Sequence, residues 1–175
     1  MHFSDDNTLS KLILLFVFDK MEVPISENTI IDMCCSTNNW INQLECKPLL
    51  AQLIEAGFLC KISGSHSEEL YTITPDGRLC LAHFFIRISS SLRENISEFI
   101  KNNRNKYRRK QDYITDYYKN VDNSYTVVLK IAELTAPVLE IKITVPSRHS
   151  AKWINKQWEN KAAQVYATLY DMLVD

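Results

Sequence analysis

Glycine is scarce: only Gly57, Gly64 and Gly77 occur in 175 residues. A phosphate-cradling loop needs several glycines close together, so that bare backbone N–H groups can close on an anion. That chemistry is excluded. The four histidines are His2, His66, His83 and His149; no two stand four apart and there is no H-E-x-x-H, which removes the zinc-protease helix. Ser-x-x-Lys and G-x-S-x-G are also absent. With no nucleophile, metal or phosphate constellation to assemble, the expectation is a protein that is not an enzyme and carries no cofactor. Five cysteines (Cys34, Cys35, Cys46, Cys60 and Cys80) all lie in the first half, with no C-x-x-C. An odd, unspaced set argues against a disulfide framework or a zinc ribbon and for reduced thiols; Cys34-Cys35 reads as a buried apolar pair. The longest apolar run, Leu12–Phe18, is far short of a bilayer span. Asp5 and Asp6 stand where a signal peptide would carry Lys or Arg. A soluble cytoplasmic chain is therefore expected, with no membrane partner.

Net charge is −1, so the whole chain has no basic excess, while 46% hydrophobic residues suffice for a packed core. The informative stretch runs from Glu45 to Gly77. Proline is tolerated only in a first helical turn, so Pro48 places a helix start near Leu44–Glu45. Leu49, Leu50, Leu53 and Ile54 give its apolar stripe. Gly57 ends it, because glycine takes the left-handed C′ conformation without strain. Phe58, Leu59 and Ile62 read as a strand, Gly64–Ser67 as a turn, and Tyr71 and Ile73 as the return strand. Thr74 then caps a new helix with Pro75 at its first position.

Before this stretch, Asp6 or Thr8 opens a helix to about Met21, apolar nearly all round. Two coverings for it stay open, the second half of the chain or a second copy. Val23-Pro24-Ile25 reads as an extended link, and Ser26 or Asn28 caps a helix that ends at Thr37–Asn39. After it, Gly77–Phe85 reads as a helix, Ser89–Ser91 as a hinge, and Leu92–Lys110 as a long helix. Tyr113–Tyr118 reads as a strand, and strict alternation marks two more, around Val127–Ile131 and around Leu139–Val145. A last helix spans about His149–Val174. Trp153 and Trp158 on it, and Tyr113, Tyr117 and Tyr118, can line a pocket in the second half, and more often such aromatics are core or interface anchors.

A helix, then Glu55-Ala56-Gly57-Phe58-Leu59, then a hairpin ending Tyr71-x-Ile73-Thr74-Pro75-x-Gly77, resembles the winged-helix domains of bacterial regulators such as the PadR and MarR families. The resemblance implies that the helix from Glu45 is a recognition helix and that Cys60–Thr74 is a wing. Both halves together are similar to a bacterial family of uncharacterised activity that joins a winged helix to an α+β module. The expected fold is α+β: a winged helix over 1–88, a long linking helix, and over 89–175 a three-stranded antiparallel sheet covered by two helices. The expected function is DNA-binding transcriptional regulation, with the second domain pairing subunits or sensing an effector. Expected partners are double-stranded DNA and a second copy. The alternative is a protein-interaction scaffold that binds no DNA.

Charge bears on that choice. Residues 1–85 hold five basic and eleven acidic side chains, a balance of −6, which opposes duplex binding because phosphate contacts supply most non-specific affinity. The exposed positions expected on the recognition helix offer Asn42, Gln43, Lys47 and Gln52, amides suited to adenine edges and one cation for guanine or phosphate. The wing carries Glu68-Glu69. Basic charge gathers instead in Lys101, Arg104, Lys106, Arg108, Arg109 and Lys110, interleaved with Asn102, Asn103, Asn105 and Tyr107. That run can track phosphates, pair with the acidic first half, or sit as a solvated helix end favoured by the dipole.

Overall fold

The structure is a computed structural model that describes residues 5–63, 69–132 and 137–174. It is a mixed α+β protein with two three-stranded antiparallel sheets among the described residues. The chain divides into two compact units, one ending at Tyr107 and the other beginning at Arg108.

The first unit is built around helix α1 (Asp5–Met21). Every side chain from Leu12 to Phe18 is buried, so no amphipathic stripe exists to read. Neither covering expected from the sequence is needed. α1 is surrounded within its own unit by α3 (Gln43–Glu55), α4 (Pro75–Phe84), β3 (Glu69–Ile73) and a 3₁₀ turn at Phe85–Arg87.

The link expected at Val23–Ile25 contributes a short strand, β1 (Ile25–Ser26), which pairs antiparallel with β3 at Ile25↔Tyr71. β2 (Leu59–Ser63) pairs on the other side of β3, giving the order β1-β3-β2. Ser26 also caps α2 (Glu27–Ile31) by accepting from Thr29 N–H. α2 runs directly into a π-helical segment, Asp32–Thr37. Its wider turn carries the buried Met33, Cys34 and Cys35, which a 3.6-residue period places on an ordinary helix.

Two close approaches fix α3 against α4. Gly57 takes φ +75 at the end of α3. Thr74 caps α4 by accepting from Gly77 N–H at 3.1 Å, and its hydroxyl donates to the Gly57 carbonyl at 2.6 Å. On α4 only Gly77 and Leu81 are buried; Leu79, Ala82 and Phe84 are exposed, as is Phe85 in the 3₁₀ turn that follows.

Helix α5 (Ser90–Asp112) is one continuous element. Ile96, Ile100 and Tyr107 join the first core, with Leu92 and Phe99 packed against it. The serine run expected as a hinge, and the boundary at 88/89, therefore fall inside the first unit, because α5 spends its apolar side chains on that core.

In the second unit β4 (Tyr113–Lys119), β5 (Tyr125–Ala132) and β6 (Pro137–Val145) form a sheet of order β4-β5-β6. Helix α6 (Arg148–Val174) packs on it. Val127, Leu129, Ala151, Trp158 and Ala162 form the buried core. Trp158 anchors it, whereas Trp153 and Tyr118 are exposed. The apolar stripe of α6 outlasts its cover: Met172, Leu173 and Val174 are exposed.

Candidate functional site

Helix α3 takes its start from Asn42, whose extended backbone (φ −64, ψ 131) and side-chain oxygen, accepting from Leu44 N–H at 2.9 Å, make an N-cap. The start precedes the one inferred from Pro48, which lies a turn deeper and has no N–H to give the Leu44 carbonyl. Both residues are exposed. Cys46, Leu49, Leu50 and Leu53 face the core. At about 100° per residue the opposite side is centred on Leu44, Pro48, Ala51 and Glu55, all exposed. Gln43 and Lys47 run along one flank of it and Gln52 along the other.

The expected reading residues thus have different duties. Asn42 is committed to the cap. Gln43 and Gln52 are exposed. Lys47 Nζ is held 2.7 Å from Glu27 Oε1, and that carboxylate keeps the lysine above its usual pKa. What sequence reasoning missed is the middle of the face: Leu44 is 86% exposed. The signal was present, since Leu44 lies outside the i, i+3, i+4 set of Leu49, Leu50 and Leu53.

The hairpin beside α3 is similarly neutralised. Lys61 Nζ lies 2.8 Å from Glu69 Oε2 and over the Tyr71 ring at 5.7 Å. The expected turn at Gly64–Ser67, with His66, and Glu68 lie outside the described residues.

On α5, Arg104 Nη1 donates to Glu22 Oε2 at 2.7 Å, and Arg108 pairs with Asp112 one turn on at 3.5 Å. Lys101, Lys106 and Arg109 are exposed. The Lys110 side chain lies outside the described residues. Helical spacing sets Lys101, Asn102, Asn105 and Lys106 on the side away from Ile96, Ile100 and Tyr107. The inner side is docked on the segment leading into α3: Trp40 Nε1 donates to Asn95 Oδ1 at 2.9 Å, the Trp40 and Phe99 rings meet edge-on at 5.5 Å, and the Phe99 and Tyr107 rings lie 6.2 Å apart.

Three thiols converge behind the N-terminus of α3. Cys34, Cys35 and Cys46 are all buried. Burial and the neighbouring thiols push Cys34 well up and Cys46 to about 12. Thiolate is the reactive form, so these groups are inert at neutral pH. Alkylation of the native protein at pH 8, followed by mass spectrometry, should label exposed Cys60 first, with Cys34, Cys35 and Cys46 reacting only after denaturant is added. Labelling of Cys46 in the native state would refute the packing described.

Among the described residues no group of three or more His, Cys, Asp or Glu is placed to hold a metal ion, and no helix is long and apolar enough to cross a membrane. No curated protein and no solved structure matches the chain. The pattern of one family does, the Domain of unknown function (DUF4364), and it runs over residues 10–173, from α1 through α6. The two-unit chain therefore belongs to the DUF4364 family.

Proposed function

We propose that the first unit is a winged helix, with α3 as recognition helix and the β2–β3 hairpin as wing, and that the chain regulates transcription by binding duplex DNA. The observation that carries this reading is the composition of the outer face of α3. It offers amides at Gln43 and Gln52, apolar groups at Leu44 and Ala51, and no arginine. Glutamine pairs bidentately with adenine in the major groove, and small apolar groups contact the thymine methyl. With Lys47 tied to Glu27, guanine has no partner. The preferred site is therefore rich in A·T pairs, and Lys101 and Lys106 on α5 provide the phosphate contacts.

The test is fluorescence anisotropy on A·T-rich and G·C-rich duplexes over a salt series. Binding should favour the A·T-rich duplex, and Gln43→Ala should cost about 1–3 kcal/mol on that duplex alone. Replacing both Lys101 and Lys106 by Ala should lower the slope of log K against log salt by about 2, near 0.9 for each phosphate that is no longer neutralised. Absence of binding at low salt would overturn the DNA reading.

The second reading is a docking surface for another protein. The pairing of Lys47 with Glu27 and of Lys61 with Glu69 favours it. Those acids cancel the cations nearest the face and leave an apolar centre, Leu44, Pro48 and Ala51, with Glu55 at its end. In that case Leu44→Glu abolishes partner binding and no duplex binds at any salt.

A further inference from the structure

Strand β6 closes the second sheet with a neighbour on one side only, among the described residues. A free edge presents unpaired N–H and C=O groups, and natural sheets ordinarily shield such an edge. Here it is long and open. Val138, Glu140, Lys142, Ile143 and Thr144 are all exposed, and Leu139 and Ile141 are only half-buried. Register with β5 separates its faces. Leu139, Ile141 and Ile143 stand opposite Ile131, Leu129 and Val127, on the side covered by α6. Glu140, Lys142 and Thr144 lie on the other side.

We propose that β6 pairs antiparallel with β6 of a second copy of this chain, about a two-fold axis through Ile141, joining the two sheets into one of six strands. Such an axis, normal to the sheet, keeps each face continuous with itself, so residues opposite one another must share a face. Only registers centred on a residue satisfy this condition. Centring on Glu140 sets Glu140 against its own copy, and centring on Lys142 sets Lys142 against its own. Centring on Ile141 sets Glu140 opposite Lys142 of the second copy and Lys142 opposite Glu140 of the second copy. It also brings Leu139 against Ile143 of the second copy, which covers apolar surface that α6 leaves half-open.

The charge row is already laid out within one chain. Lys130 Nζ lies 3.4 Å from Glu140 Oε2, and Lys142 Nζ lies 3.6 Å from Glu140 Oε1. Across the seam the order becomes Lys130, Glu140, then Lys142 of the second copy, alternating in sign. The other edge has no such order: on β4, Asp116 and Lys119 fall on opposite faces, so no two-fold register pairs them. A foreign strand would not need a sequence whose charges invert when it is read backwards, and this self-complementarity identifies a second copy as the occupant.

Sedimentation velocity on the full chain tests the assignment. Wild type should be dimeric at micromolar concentration. Lys142→Glu and Glu140→Lys each set like charges across the seam twice, and each should weaken self-association about tenfold or more. Both positions are exposed, so circular dichroism should find both variants folded. An equal mixture of the two is the decisive arm: the acidic edge of one meets the basic edge of the other, and dimer should return to the wild-type level. A wild type that stays monomeric, a dimer indifferent to both reversals, or a mixture that fails to recover would each overturn the proposal. Capture of an unrelated extended peptide by a monomeric wild type would do so in favour of a foreign strand.

Discussion

Gly77→Ala is expected to destabilise the first unit by about 3 kcal/mol, read as a lower midpoint in urea followed by far-ultraviolet circular dichroism. The sign is the informative part. Gly77 sits in the first turn of α4, and replacing a helical glycine by alanine ordinarily stabilises by up to about 1 kcal/mol. Here a Cβ would fall on the carbonyl oxygen of Phe58, inside any allowed separation, and 2.9 Å from Ile73 Cγ1. The isoleucine can rotate, but the carbonyl cannot move freely. It accepts from Thr74 N–H at 3.0 Å, and Phe58 N–H donates to the Leu53 carbonyl at 2.9 Å. Moving the carbonyl loosens the end of α3 and the cap of α4 together. Gly57→Ala is the control. Nothing lies within 4 Å of a Cβ there, so only the left-handed backbone at φ +75 is strained, at a cost of about 1–2 kcal/mol. A Gly77→Ala protein as stable as wild type would mean that the Phe58 carbonyl yields, and that the α3–α4 junction is softer than its hydrogen bonds imply.

The element order is largely legible in the sequence because local signals agree. Thr74 and Pro75 open α4, Gly57 ends α3, and strict alternation locates β5 and β6. What is not legible depends on partners distant in sequence. Helix α1 is buried on every side from Leu12 to Phe18, and composition alone cannot say by what. The two-residue strand β1 exists only because β3 lies beside it, and no propensity marks a segment that short. The unit boundary is misplaced from sequence because Ser89–Ser91 looks like a linker, whereas Ile96, Ile100 and Tyr107 tie α5 to the first core.

The candidate residues show the same division. Lys47 and Arg104 are legible as charged and exposed. Their pairing with Glu27 and Glu22 is not, because those acids lie 20 and 82 positions away. Asn42 reads as a base contact, yet its residue type is equally that of a cap, and the cap is the role the geometry assigns to it. An amide just before a helix serves the backbone first, since the first N–H groups of the helix have no other partner.

Trp158→Ala carries the second large effect, an expected loss of about 3–5 kcal/mol confined to the second unit. Among the described residues the buried cluster of that unit is small, Val127, Leu129, Ala151, Trp158 and Ala162, and Trp158 is the largest of them, 2% exposed between α6 and the sheet. Its indole Nε1 donates to the Lys130 carbonyl on the central strand at 3.0 Å. Truncation leaves both a cavity and an acceptor without its donor. Small domains hold roughly 0.05–0.15 kcal/mol per residue in total, so the loss is comparable to everything the second unit has. Limited proteolysis of the variant should cut readily beyond Arg108 while the segment up to Tyr107 stays protected. Trp158→Phe separates the two contributions: it keeps most of the ring volume and gives up the hydrogen bond, at about 1 kcal/mol. If the alanine variant unfolds at the wild-type midpoint, the core assigned to α6 and the sheet is wrong. If instead both units melt together, they depend on one another for stability. Self-association through β6 should also vanish in Trp158→Ala, since an edge cannot outlive its sheet. That loss would not distinguish one interface from another, and the charge reversals at Glu140 and Lys142, which leave the core intact, are needed to locate the seam.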